Sequence, residues 1–210
     1  MRLNEKPCAV FSDGLRLEAA LHEGDGDLTA VVLHPHPLFG GDMHNHVVVA
    51  LCEAIAALGA TTLRLNFRGT GDSEGSHDQG PGEANDARAA CAELRRLRPD
   101  ARLLLAGYSF GGLVAAIAAA DARPEGLVLV APPFKLAGET PELDASLPVL
   151  VMTGEQDRIA PAESIEALRG PRRTVTVVPG VDHGWWPGTD VLAAAVREFV
   201  ESAFPPRVAP

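Results

Sequence analysis

The chain has 210 residues, 46% hydrophobic and 22% charged, a balance that fits a folded globular protein of ordinary α/β size. Its formal net charge of -10 argues against nucleic acid and anionic membrane surfaces as partners. No stretch approaches the roughly 18 apolar residues of a membrane span, and Met1–Val10 has no apolar run of the signal-peptide kind. Cys8, Cys52 and Cys91 are widely spaced and form no CxxC, which suits a reducing cytoplasm better than a disulfide framework.

Cys8–Phe11 and Leu15–Leu21 are short runs joined by Ser12-Asp13-Gly14, a turn that predicts an antiparallel edge hairpin. Leu28–Leu33 reads as a buried strand. The prolines of His34-Pro35-His36-Pro37-Leu38-Phe39-Gly40-Gly41 forbid regular structure after it. Val47–Leu58 has helical composition, with Gly59 as its stop. Thr61–Asn66 is the next strand, Phe67–Gly82 a glycine-rich polar loop, and Glu83–Leu97 a helix. Leu103 onward is a strand, followed at once by an alanine-rich helix from Leu113 to Ala120. Leu127–Ala131, Val149–Thr153 and Thr174–Val178 are further strands. Helices are expected at Pro161–Leu168 and at Asp190–Phe204, the latter ended by Pro205-Pro206. This alternation predicts an α/β fold, a mostly parallel twisted sheet with helices on both faces and an N-terminal antiparallel hairpin. No repeat, low-complexity tract or boundary divides it, so residues 1–210 read as a single domain. Residues 132–147, with Pro132, Pro133, Pro141, Glu139, Glu142 and Asp144, are too few and too polar for a cap domain, so an open site is expected.

The chemistry centres on Gly107-Tyr108-Ser109-Phe110-Gly111. A strand that turns into a helix within one residue leaves no room for Cβ atoms on either side, and puts Ser109 at a helix N-terminus where backbone N–H groups favour negative charge. This G-x-S-x-G corner resembles the nucleophile elbow of the α/β-hydrolase superfamily. A serine hydroxyl needs a base, and the base needs an acid to hold its tautomer. Asp157 follows the Val149 strand and His183 follows the last strand, in the nucleophile–acid–base order of that superfamily. Asp144 and Asp182 are the alternative acids. The oxyanion needs backbone donors. Phe110, next to the serine, is one candidate. In the loop after Leu33, Pro35 and Pro37 have no N–H, which leaves His36 as the choice and Leu38 as the second.

The resemblance runs from about Leu15 to Phe204. It rests on the loop from His34 to Asn45, on Asn66-Phe67-Arg68-Gly69-Thr70-Gly71-Asp72-Ser73-Glu74-Gly75, and on Gly107–Gly111. Together these are similar to the small, lidless bacterial serine hydrolases related to dienelactone hydrolases. The resemblance implies a Ser109–His183–Asp157 triad without a cofactor and an esterase activity of undefined substrate. Dienelactone hydrolases proper use a cysteine nucleophile, so that particular activity is not expected. Arg68 is expected to anchor loop carbonyls and carboxylates rather than substrate.

The expected partner is a small-molecule ester, as a monomer or homodimer. Esterase, thioesterase, lactonase and amidase share this machinery. The expected pocket is shaped by Leu38, Phe39, Tyr108, Pro132–Phe134 and Trp185-Trp186. With little apolar wall, such a site favours short acyl chains, acetyl to hexanoyl. Two rival readings remain. His34, His36, His44 and His46, with Asp42, make a candidate metal site for a metal-dependent hydrolase. Alternatively, the hydrolase fold serves as a non-catalytic binding protein.

Overall fold

The computed structural model describes residues 3–138, 140–205 and 207; Met1, Glu139 and Pro206, named above, lie outside it. The strands are β1 (Glu5–Ser12), β2 (Leu15–His22), β3 (Leu28–Leu33), β4 (Thr61–Leu65), β5 (Arg102–Tyr108), β6 (Gly126–Val130), β7 (Val149–Gly154) and β8 (Arg173–Val178). They form one sheet in the order β1-β2-β4-β3-β5-β6-β7-β8. β1 and β2 pair antiparallel, as do β2 and β4, and every other neighbouring pair is parallel. The helices are α1 (His46–Ala56), α2 (Pro81–Leu97), α3 (Phe110–Ala122), α4 (Phe134–Ala137), α5 (Ala162–Glu166) and α6 (Thr189–Ala203).

The inner strands are buried on both faces, as a parallel sheet covered by helices requires. Their alternate residues feed two cores. Leu103, Leu105, Leu127 and Leu129 face α2, α3 and α5, packing with Ala87, Leu94, Val114 and Ile165. Leu104, Ala106, Val128 and Val130 face α1 and α6, packing with Val48, Leu51, Leu192 and Val196. The chain leaves β3 through α1 on one face and leaves β5 through α3 on the other. Adjacent parallel strands with helices on opposite faces make a topological switch point, and a crevice opens beyond their carboxyl ends.

Local chemistry explains where the helices start. The Asn45 side chain accepts from the Val47 N–H at 2.9 Å, so α1 begins one residue ahead of the sequence expectation. Pro81 sits at the first position of α2, where no N–H is needed, and Glu83 accepts from the Gly80 N–H at 2.7 Å. That brings Pro81 and Gly82 into the helix rather than the loop. The loop after β3 is also more regular than its prolines suggested. Pro37–Phe39 form one 3₁₀ turn, with Pro37 at its start and Gly40 closing it in the left-handed region. The three cysteines are free, and burial pushes the thiols of Cys52 and Cys91 up to about 12.

The tightest constraint lies where α3 leaves β5. A Cβ on Gly107 would sit 2.2 Å from the Gly111 carbonyl oxygen, and one on Gly111 would sit 2.5 Å from the carbonyl oxygen of Leu33. Both clashes are with backbone, which cannot swing aside. Gly107→Ala should therefore lower the unfolding free energy by about 3 kcal/mol or more, read by urea denaturation. A variant as stable as the natural protein would contradict this packing.

Candidate active site

Ser109 occupies the corner between β5 and α3 with φ 53 and ψ -119, a conformation that costs a non-glycine residue roughly 1–3 kcal/mol. It is held from both sides: its N–H donates to the Val130 carbonyl at 2.8 Å, and its carbonyl accepts from Leu113 N–H at 3.1 Å. The Ser109 Oγ lies 2.9 Å from His183 Nε2. His183 Nδ1 lies 2.8 Å from Asp157 Oδ2.

Asp157 Oδ1 accepts from the N–H groups of Ile159 and Ala160, each at 2.8 Å. Burial pushes the Asp157 carboxyl upward, but the bond to His183 and these two N–H groups outweigh it and hold the acid below its ordinary value. The other two acids do not reach the imidazole. Asp182 accepts from the Gly184 N–H at 2.9 Å, and Asp144 closes a turn onto Ser146.

The loop carrying His183 is clamped from three directions. The Tyr108 hydroxyl donates to the His183 carbonyl oxygen. His46 Nε2 donates to the Gly184 carbonyl at 2.9 Å, and its ring stacks on Trp186 with centroids 3.9 Å apart. Trp185, at φ 58, turns its ring into the α1–α6 core and is fully buried.

Across the crevice, the backbone N–H groups of His36 and Phe110 donate to no acceptor among the described residues. The Leu38 N–H, the second candidate donor, is occupied by His36 Nδ1 at 3.2 Å. That bond leaves the proton of the neutral ring on Nε2. Burial first, and His77 second, hold the His36 imidazole below its ordinary value.

The four histidines near one another in sequence do not converge in space. His34 is fully buried; its Nδ1 donates to the Pro35 carbonyl at 2.6 Å and its Nε2 accepts from the Phe67 N–H at 3.0 Å. His44 lies beside Arg64, and His46 clamps the His183 loop. Among the described residues, no three metal-ligating side chains are gathered. Arg68 is tied to the carboxylates of Asp86 and Asp13 at 2.7 and 2.9 Å.

Ser109 and His183 open on a cleft of about 790 Å³. Phe39, Tyr108 and Pro133 line it as the sequence suggested. Leu38 faces a neighbouring hollow instead, Trp185 is in the core, and Trp186 covers His46. Leu113, Ile117, Leu136 and Ile159 also line it, so the premise of a site with little apolar wall is corrected. Asn45 and Gln79 were missed as well. Only the Asn45 position carried a sequence signal, being a helix cap in the loop after β3.

Residues 29–195 match the family model described as "Alpha/beta hydrolase domain". The chain belongs to the α/β-hydrolase family. An uncharacterized protein of Rickettsia prowazekii is 31% identical over 81% of this hydrolase and 77% of its own length. The crystal structure of a Xanthomonas campestris protein, described as an α/β serine hydrolase without lid, superposes with a TM-score of 0.86. It is 31% identical, covering 100% of this chain and 99% of its own. An α/β serine hydrolase homologue from Coxiella burnetii has a TM-score of 0.86 and 30% identity, covering 94% of this chain and 98% of its own. Among the described residues of this hydrolase no cap domain is formed either: between β6 and β7 they make only the single turn of α4. Among the described residues, no helix is long and apolar enough to cross a membrane.

His34 yields a pH test of this hydrolase. Its burial outweighs the bond to Pro35 and lowers its pKa to about 4. Unfolded, it takes up its proton near pH 6.5. Between these values the unfolded chain holds the extra proton, so stability falls as pH drops from about 6.5 to about 4. The loss should reach roughly 3 kcal/mol. In His34→Gln, urea titrations across that window should lose this part of the slope. An unchanged slope would contradict it.

Proposed function

We propose that this hydrolase is a carboxylesterase that works through an acyl-enzyme on Ser109, with His183 as base and Asp157 as its orienting acid. The observation that carries the reading is the unbroken line of contacts from Ser109 Oγ to His183 Nε2 at 2.9 Å, and from His183 Nδ1 to Asp157 Oδ2 at 2.8 Å. In this reading His183 takes the Ser109 proton as Oγ attacks the ester carbonyl. Asp157 holds the imidazole with Nδ1–H toward itself and stabilises the cation that forms.

The negative charge on the former carbonyl oxygen is assigned to the N–H groups of His36 and Phe110. Both residues line the cleft beside Ser109, and neither N–H has another acceptor among the described residues. Collapse of the intermediate expels the alcohol, which takes the proton from His183. Water then repeats the sequence: its proton goes to His183 and its oxygen to the acyl carbon, the bond from that carbon to Ser109 Oγ breaks, Oγ takes the proton back from His183, and the acid leaves.

Small esters with short acyl chains, acetyl to hexanoyl, are the proposed substrates. What supports this is the absence of a cap over a cleft whose rim stands in water, Phe39 and Leu136 being 88% and 74% exposed. Each CH₂ left in water forgoes about 0.8 kcal/mol of binding.

Three substitutions test the assignment. Ser109→Ala should lower kcat on the order of 10⁶-fold with the fold intact. Asp157→Asn should cost about 10⁴, because the amide imposes the wrong imidazole tautomer. Asp182→Asn should cost far less, since Asp182 caps a turn rather than holding the ring. Steady-state hydrolysis of a chromogenic acetate ester measures all three. A larger loss in Asp182→Asn than in Asp157→Asn would overturn the acid assignment.

A further inference from the structure

The cleft has an extended apolar stretch. Leu113 and Ile117 of α3 line it together with Pro133, Leu136, Ala137 and Pro141 of the segment after β6. Leu113 and Ile117 are four residues apart on one helix, so they share a face and form a continuous apolar strip leading away from Ser109. None of these six residues carries a polar side chain. The rest of the lining carries the polar side chains of His36, Asn45, Gln79 and His183, with Phe39 and Ile159 among them.

The apolar stretch and the His183 loop are rooted on opposite faces of the sheet. α3 and Phe134, the first residue of α4, pack in the core shared with α2. Asn45 caps α1, and the His183 loop is rooted by Trp185 in the core between α1 and α6. His183 therefore approaches Ser109 from the α1–α6 face, and the apolar strip recedes from Ser109 on the α3 face.

This asymmetry sorts the two halves of an ester. The departing alcohol takes its proton from His183 Nε2, so its oxygen must lie on the His183 side. The acyl carbon is bonded to Ser109, and its chain must leave in another direction. Building on the esterase reading above, we infer that the strip between α3 and α4 is an acyl-binding groove and that Ile117 and Leu136 set the preferred acyl length. The substrate class is an apolar acid joined to a small polar alcohol.

The helix sets the length. Ile117 lies eight positions beyond Ser109, an axial distance of about 12 Å at the helical rise, which an extended acyl chain of about eight carbons approaches. Complete burial of one CH₂ is worth about fourfold in binding. A groove whose Leu136 wall is 74% exposed captures about half of that free energy, or roughly twofold per CH₂. The optimum thus falls at hexanoyl to octanoyl, at and just beyond the upper end of the acetyl-to-hexanoyl range, and not at acetyl.

The test uses two ester series. One holds 4-nitrophenol constant and lengthens the acid from acetyl to dodecanoyl. The other holds acetate constant and lengthens the alcohol from methyl to octyl. In the acyl series kcat/KM should rise about twofold per CH₂ to hexanoyl or octanoyl and then level or fall. In the alcohol series it should stay flat. Ile117→Trp fills the groove and should lower the octanoate-to-acetate ratio about tenfold or more; Leu136→Ser, at an exposed position, should lower it several-fold. Val191→Trp, on the exposed side of α6, should leave the ratio where it was. A ratio that moves in neither groove variant, or an alcohol series that climbs while the acyl series stays flat, overturns the groove. Hydrolysis by Ser109→Ala as fast as by the natural enzyme would overturn the esterase reading instead, and the groove with it.

Discussion

The structure depends on how closely the first turn of α3 passes over the ends of β5 and β3. Only glycine at 107 and 111 permits that approach, because a Cβ at either would strike backbone oxygens. With the helix seated there, the chain has one residue in which to turn, and Ser109 takes up φ 53. The bonds to Val130 and from Leu113 hold that conformation. The same close passage brings the N-terminus of α3 against the loop after β3. It thereby brings His36 and Phe110 together at the cleft, their ring centroids 4.9 Å apart.

Backbone strain gathers around this point. Among the described residues, the non-glycine residues with positive φ are Asp13, Gln79, Ser109, Arg123, Ala131 and Trp185. Gln79 and Ser109 line the cleft, Ala131 precedes its Pro133 wall, and Trp185 roots the His183 loop. Strain of this kind persists only where packing over-determines it. Here the packing is specific: Trp185 is sealed into the α1–α6 core, and Ala131 N–H is fixed to the Met152 carbonyl at 2.7 Å. Three loops from β5, β7 and β8 meet because each is anchored in a core or by a bond. The Tyr108 hydroxyl links the first and last of them directly.

Much of this was legible in the sequence because it is local chemistry. The strand run into Gly107, the serine and the alanine-rich helix specify a corner from adjacent residues alone. The strand-ending positions of Asp157 and His183 follow from counting elements. What was not legible depends on residues that meet only in the folded chain. Nothing near Ile117 or Leu136 in sequence indicates that they line one cleft. The Trp185-Trp186 pair reads as pocket lining until the positive φ at Trp185 sends one ring into the core and leaves the other against His46. The four histidines look like a cluster because sequence spacing hides their separate partners. Leu38 was an open alternative to His36 because the bond that occupies its N–H is made by the His36 side chain.

The proposed chemistry requires that Ser109 be activated as a nucleophile. The most direct measurement is labelling of the folded protein with a fluorophosphonate and mass-spectrometric mapping of the adduct. One adduct is expected, on the peptide containing Ser109, formed at neutral pH and lost when the protein is unfolded beforehand. An adduct on Ser12 or Ser73, or equal labelling before and after unfolding, would contradict it. Both of those serines are buried, and Ser73 Oγ already donates to the Asn66 carbonyl at 2.7 Å.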